Sequence, residues 1–331
     1  MNNFKKIGLT ALAGSLVAIS AHAAEMSVSG ASVLTYTSKD SDEVTGNPLG
    51  MKTNLAFNAS GEVNGYTVSY MQTSVDQFAG MSSARLSVDM GDMGTLAFDQ
   101  GSGSGLGTID DKTPTAAEEI WDNLDAKSHG GLVGAAGSSG VINYVNTFEG
   151  VTVNVAARRG SGAKSADGGA SGAGQSAYDF ALTTDGSSIG VDGLAIGAGY
   201  GLADAGSAKD TTTRSDDEHM TAFANYSVGP ATLGYQVSEI ALGKNGKAGT
   251  STDAWGLAFN VNDSLSVSYG QRDVEYNKAG ATHITEEGSG YAVAYTMGSM
   301  KIAGNMNRVN NNQGTKGAVD SNTEIALSFA F

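Results

Sequence analysis

From residue 25 onward the chain alternates large apolar residues with small or polar ones. In MSVSGASVLTY, Met26, Val28, Leu34 and Tyr36 share one parity, and Ser27, Ser29 and Ala31 share the other. The same period recurs in YTVSY (Tyr66, Val68, Tyr70) and in ARLSVDM, where Leu86, Val88 and Met90 oppose Arg85, Ser87 and Asp89. WGLAFNV, SLSVSYG and YAVAYTM repeat it, and NTEIALSFAF sets Ile325, Leu327, Phe329 and Phe331 against Glu324, Ala326, Ser328 and Ala330. A two-residue period makes one face of each run apolar, the mark of a β-strand.

Short and long connections alternate between the runs. Turns such as GEVNG (61–65), GDMG (91–94), EG (149–150) and VGP (228–230) contrast with polar, Gly/Ser/Asp-rich stretches near 38–50, 160–175, 204–217 and 276–287. With one weak junction at 185–193, the count is sixteen strands. So many strands in up-and-down order leave exposed edges unless the sheet closes. A closed barrel of that size is too wide for side chains to fill, so its interior is wet and its apolar face must meet lipid. The fold class predicted is all-β: a 16-stranded antiparallel transmembrane β-barrel. Tyr36, Tyr70, Tyr226, Tyr269, Tyr295 and Phe331 fall near run ends, where an interfacial girdle would sit.

The connection at about 101–138 is far longer than the others and carries the one helix signal. Thr115 and Glu118 have capping-box spacing, and Thr113 precedes a Pro114 suited to a first helical position. Helical spacing would gather Ala116, Ala117, Ile120 and Leu124 on one side. Folded into the lumen, such a loop would rest on the wall and narrow the pore. Asp110, Asp111, Glu118, Glu119, Asp122 and Asp125 would then form an acidic lip, and Lys52, Arg85 and Arg158, on the polar parity of their strands, a basic wall opposite. The field between them would orient polar solutes. The simpler alternative is an exterior loop whose acids are merely solvated.

Composition narrows the function classes. The 331 residues include 47 Gly, 3 Pro and no Cys, with a formal charge of -15, a poor recipe for a helix-rich enzyme or for one stabilised by disulfides. Residues 1–23 join Lys5 and Lys6 to an apolar run, Ile7 to Ile19, and an Ala21-His22-Ala23 cleavage pattern, predicting a removable secretory leader. The run is shorter than the roughly 20 residues a membrane helix needs. Without the leader's two lysines the charge becomes 17 − 34 = −17 for residues 24–331, one barrel domain. That sign excludes nucleic acid as the main partner and, with the acidic loop, predicts a lean toward cations.

Other features carry little chemistry. DGGASGAG (167–174) has neither a phosphate-loop Lys-Ser/Thr nor a nine-residue calcium repeat. His129, His219 and His283 fall in or beside predicted loops, so a hydrolase would lack a base paired with a strand nucleophile. No cofactor is expected. Asp216, Asp217 and Glu218 could hold a Ca²⁺ ion with oxygen ligands, though a solvated charge run explains them as well.

ARLSVDMGDMGTLAFDQGSG, with Gly91, Gly94, Thr95 and Leu96, resembles the hairpin before the constriction loop of the Gram-negative general porins, particularly those of alphaproteobacteria. MSVSGASVLTY is similar to their first strand and Phe331 to their terminal assembly signal. Where that family often has a basic residue after the hairpin, this chain reads Asp99-Gln100. The resemblance implies a homotrimeric outer-membrane diffusion channel surrounded by lipid and lipopolysaccharide, its Phe331 end read by the assembly machinery. A substrate-selective channel, and less directly a barrel hydrolase or surface adhesin, are the competing readings.

Overall fold

The computed structural model of the chain describes residues 25–39, 48–74, 81–122, 124, 131–137, 139–160, 176–204, 216–243, 249–277 and 284–331. The expected leader 1–23, Asp125, His129, His283 and the Gly-rich run 167–174 lie outside the described residues. The first eight strands are β1 (Glu25–Lys39), β2 (Leu49–Val63), β3 (Tyr66–Ser74), β4 (Met81–Asp89), β5 (Thr95–Gln100), β6 (Ser139–Phe148), β7 (Val151–Arg158) and β8 (Ala177–Asp185). The second eight are β9 (Leu194–Ala203), β10 (Asp217–Val228), β11 (Ala231–Ala241), β12 (Gly249–Asn260), β13 (Leu265–Asn277), β14 (Thr285–Met297), β15 (Met300–Asn310) and β16 (Val319–Ala330). Each pairs antiparallel with its sequence neighbours, and β16 closes on β1, giving the sixteen-stranded barrel that the alternation predicts. At the weak junction, one 3-10 turn, Gly186–Ile189, lies between β8 and β9.

The short turns adopt the backbone that matches strand twist. Asn64 and Gly65 hold φ at 52° and 82°, and Glu149 and Gly150 at 50° and 84°, so both central residues of each turn are left-handed. Next to β1, Phe331 exchanges two backbone bonds with Gly30: each N–H donates to the other's carbonyl at 2.9 Å.

The outer face is apolar and uncovered: Met26 is 83% exposed and Val28 61%. On β12 the outward residues Leu257 and Phe259 continue this band. It stops toward the long connections, where exposed Asp253, Asp273 and Glu287 stand directly opposite one another on β12, β13 and β14. Three like charges in one cross-strand row repel, so that row belongs in water and marks the upper limit of hydrocarbon. Just below it the rings of Trp255, Tyr269 and Tyr291 pack with centroids 5.5 and 4.6 Å apart, and exposed Tyr226, Phe259 and Tyr295 lie toward the short turns. An apolar exterior with all strand edges closed is stable only in lipid.

The packed interior is a seam. Among the described residues, Leu106, Ile109 and Val133 pack on Ala181 of β8, Trp121 and Leu124 on Val309 of β15, and Ala135 and Ala136 on alanines of β7, β8 and β9. Each cluster joins the long connection after β5 to the inner wall, so that connection is folded inside the barrel.

Candidate channel constriction

The loop after β5 follows the wall from β7 to β15, and lumen-facing side chains hold its backbone along the way. Asp99 of β5 accepts from the Ser102 N–H at 2.8 Å and from the Ser104 hydroxyl at 2.5 Å. Asn154 of β7 accepts from the Gly105 N–H at 2.9 Å. Asp179 of β8 grips both limbs, accepting from the Leu106 N–H at 3.0 Å on the way out and from the Ala136 N–H at 2.7 Å on the way back. Gln236 of β11 donates to the Ile109 and Asp110 carbonyls and accepts from the Lys112 N–H at 2.6 Å. A loop buried against a wall must have its backbone groups satisfied, and here strand side chains do it.

The central stretch crosses the wall along a single row of residues. Asn225, Gly234, Gly256, Gly270, Gly290 and Asn307 are consecutive cross-strand partners from β10 to β15. Asn225 donates its amide to the Lys112 carbonyl at 2.7 Å at one end. Asn307 donates to the carbonyls of Glu119 at 3.1 Å and Asp122 at 3.0 Å at the other. Between them Pro114 lies over Gly234 and Gly256, and Ile120 over Gly270 and Gly290. A Cβ on Gly234 would fall 2.3 Å from Pro114 Cδ, and one on Gly256 2.6 Å from the Pro114 carbonyl oxygen, so the loop occupies space that any side chain would fill.

The short helix expected from the Thr115–Glu118 spacing does not form among the described residues; the segment is a chain of turns. Its backbone is engaged elsewhere. The Ala116 N–H donates to Ser268 Oγ of β13 at 2.9 Å, the Thr115 hydroxyl donates to the Glu118 carbonyl at 2.7 Å, and Asn307 takes the carbonyls of Glu119 and Asp122. The wall thus competes successfully with i→i+4 bonding. The regular turn that does form is the 3-10 segment Gly105–Thr108. Ile120 and Leu124 still share an apolar environment, with Trp121 buried between them and Val309.

The acidic residues separate into two groups. Glu118 is exposed to the lumen, with Glu119 and Asp122 half-buried on either side of Ile120 and Trp121. Asp110 and Asp111 instead enter a crevice against the wall with Gln236 and Arg272 of β13. Burial, and then the adjacent Asp111 carboxylate, push the Asp110 carboxyl from its ordinary 3.8 up to about 7, outweighing the pull of Lys112.

The basic residues also differ in role. Arg85 of β4 pairs with buried Asp99 at 3.7 Å, donates to the Gly103 carbonyl at 3.1 Å and bonds Asn143 of β6. It therefore braces the outgoing stem of the loop. Arg158 of β7 lies against Gly137 on the returning stem, where a Cβ would fall 2.7 Å from its guanidinium. Of the three, Lys52 of β2 keeps an exposed position on the lumen face, away from the loop's path.

Several residues that shape the site carry no local motif. Asn225, Asn307, Gln236 and Asp179 are ordinary lumen-parity polar residues, and Arg272 is nearly buried behind the loop with Trp121. Four glycines at lumen parity in strands otherwise free to carry side chains were the available signal. His219, expected beside a loop, lies within β10, and its Nδ1 accepts from the Gly134 N–H at 3.3 Å. Asp217 likewise accepts from the Gly243 N–H at 2.8 Å. Among the described residues, no three His, Asp or Glu side chains converge as a metal cage.

No protein-family model matches the sequence, and no curated protein matches it significantly. Solved structures do match in fold. OmpT, an outer membrane protein of Vibrio cholerae, superposes with a TM-score of 0.67 at 14% identity over 93% of this chain and 98% of that one. Its trimer form gives 0.64 at 14% identity over 93% and 100%. An anion-selective porin from Comamonas acidovorans gives 0.66 at 14% identity, again over 93% and 100%. With sixteen strands closed around an inward-folded loop, the chain has the fold of the outer-membrane porins.

Proposed function

We propose that the protein is a water-filled outer-membrane channel for passive diffusion of small hydrophilic solutes and ions, leaning toward cations and catalysing no reaction. The observation that carries this reading is the path of the loop. Held against the wall from β7 to β15, it leaves the inner faces of β1 to β3, with Ser27 exposed and Thr35, Asn58 and Ser69 half-exposed, outside its path. A polar lumen with a partial internal constriction suits solutes that keep their hydration.

The lean toward cations rests on charge. Exposed Glu118 and the net charge of -15 favour cation entry. The Comamonas porin shares the fold and is named anion-selective, so the fold leaves the sign of selectivity to side chains. His219 is engaged with loop backbone, which argues against a general base in the lumen. A homotrimer, embedded in lipid and lipopolysaccharide and assembled through the strand that ends at Phe331, fits the exposed apolar exterior and the trimer form of the Vibrio structure.

Liposomes containing the purified protein should swell in isotonic solutions of small neutral sugars, at rates that fall smoothly with sugar size. Absence of swelling from folded, inserted protein would refute diffusion, and swelling with one sugar alone would favour a substrate-selective channel.

A further inference from the structure

The row Asn225, Gly234, Gly256, Gly270, Gly290 and Asn307 suggests a determinant of pore size that lies behind the loop, away from the permeation path. We propose that the depth of this glycine row sets the cross-section of the channel. The wall is recessed by the absence of four side chains, the loop sinks into the recess, and the two asparagines fix it there. This inference rests on the reading of the protein as a channel.

Three observations converge on it. First, the four glycines are in direct register on adjacent strands, so together they form one continuous depression across β11 to β14. Second, the depression is filled by the loop and, at its two ends, by the clamping amides: the would-be Cβ positions meet the Pro114 oxygen at 2.6 Å on Gly256 and Ile120 Cγ2 at 3.0 Å on Gly270, Asn225 Oδ1 at 2.2 Å and Pro114 Cδ at 2.3 Å on Gly234, and Asn307 Oδ1 at 2.3 Å and Ile120 Cγ2 at 3.0 Å on Gly290. Third, clamps stand only one strand beyond each end of the glycines, and both bind loop carbonyls. Glycine weakens a strand interior, so four in one row cost stability, and their compensation is the seating of the loop.

The geometry gives a sign and a scale. Ordinary contact begins near 3.4 Å, so an alanine at position 256, whose nearest neighbour is the Pro114 carbonyl oxygen, displaces Pro114 toward the lumen by about 0.8 Å. Larger side chains displace it further. Gly304 of β15 supplies the control, since its Cβ would meet Val293 Cγ1 at an ordinary 3.5 Å and no loop atom.

The test is a graded series, Gly256→Ala, Gly256→Val and Gly256→Leu, with Gly304→Ala alongside. Because the chain has no cysteine, spin labels can be placed at Thr115→Cys on the loop and Asn58→Cys on the facing wall of β2. The inter-label distance should shorten stepwise through the series, and single-channel conductance should fall in the same order, while Gly304→Ala changes neither. Unchanged distances in folded variants would overturn the inference. Shortened distances with no conductance in any protein, the unsubstituted chain included, would sustain the seating and refute the channel. Should position 256 tolerate no substitution, Gly270→Ala is the milder intrusion, its Cβ meeting Ile120 Cγ2 at 3.0 Å and the Trp255 carbonyl oxygen at 3.1 Å, and the same two readouts decide.

Discussion

The guanidinium of Arg272, rising from β13, lies 4.9 Å from the centre of the Trp121 ring. The pair ties the tip of the loop to the wall beyond the glycine row, and Leu124 and Val309 close around the same indole. A desolvated cation over an aromatic face contributes up to about 2 kcal/mol, and the ring adds its own burial.

Trp121→Ala should therefore loosen the tip, at a cost of about 3–5 kcal/mol for a buried Trp. The barrel's strands do not depend on this residue. The expected outcome is a folded barrel whose loop is cut faster by protease and whose open current is noisier. Arg272→Lys should behave similarly, because an ammonium lacks the planar face that stacks on indole. Wild-type proteolysis and current noise in both variants would count against the pairing.

Asp110 makes the constriction sensitive to pH. Its carboxyl is neutral below about 7 and gains a negative charge as pH rises through that value. Since folding raises this acid's pKa, the seated loop favours the protonated form, and its contribution to seating is lost as pH climbs from 3.8 toward about 7. Cation preference should thus increase between about pH 6 and pH 8 in a salt gradient. Asp110→Asn should flatten that dependence.

Among the described residues Glu118 is the exposed acid of the loop, and its replacement tests the sign of selectivity. Glu118→Gln should move the reversal potential toward zero under a salt gradient. Combined Glu118→Ala, Glu119→Ala and Asp122→Ala should move it further. An anion preference in the unsubstituted protein would remove the basis for this prediction.

At the stem, the fully buried carboxylate of Asp99 and the partly exposed guanidinium of Arg85 hold the loop together. Asp99 accepts from the Ser102 N–H and from the Ser102 and Ser104 hydroxyls, and forms an ion pair with Arg85. Asp99→Ala should destabilise the barrel by about 2–4 kcal/mol, because buried donors and a cation lose their acceptor. Arg85→Ala takes the cation from Asp99 and a donor from the Gly103 carbonyl and Asn143, but leaves the carboxylate its serine partners, and should cost less, about 1–3 kcal/mol. Thermal unfolding in detergent, read from electrophoretic mobility, checks the order.

Removing Phe331 deletes both of its bonds to Gly30, at the margin of the β1–β16 seam. Assembly yield in membranes should drop while the pores that do form conduct normally. Normal yield would refute a role for this residue in assembly.

The sequence shows the barrel plainly because lipid outside and water inside impose a two-residue period on each strand, as in β16, where Ile325 and Phe329 face out and Glu324 is buried within. The path of the loop was not legible. It depends on residues such as Asn225 and Asn307, whose partners lie 113 and 188 positions away, and only barrel closure brings them together. The helix was expected because the spacing of Thr115 and Glu118 registers local bonds alone, whereas Ser268 and Asn307 supply competing ones. The partner of Arg85 was within reach, since the hairpin that pairs Asp89 with Thr95 necessarily pairs Arg85 with Asp99. The glycine row was visible as four lumen-parity glycines, but its meaning required the register that aligns them.

Whether the barrel is an open channel is measured by the current through single molecules inserted in a planar lipid bilayer. An open diffusion channel gives stepwise, ohmic conductance increments of reproducible size, carried by simple salts in the absence of any specific substrate. Folded protein that inserts without conducting, or that conducts only when one particular solute is present, would contradict it.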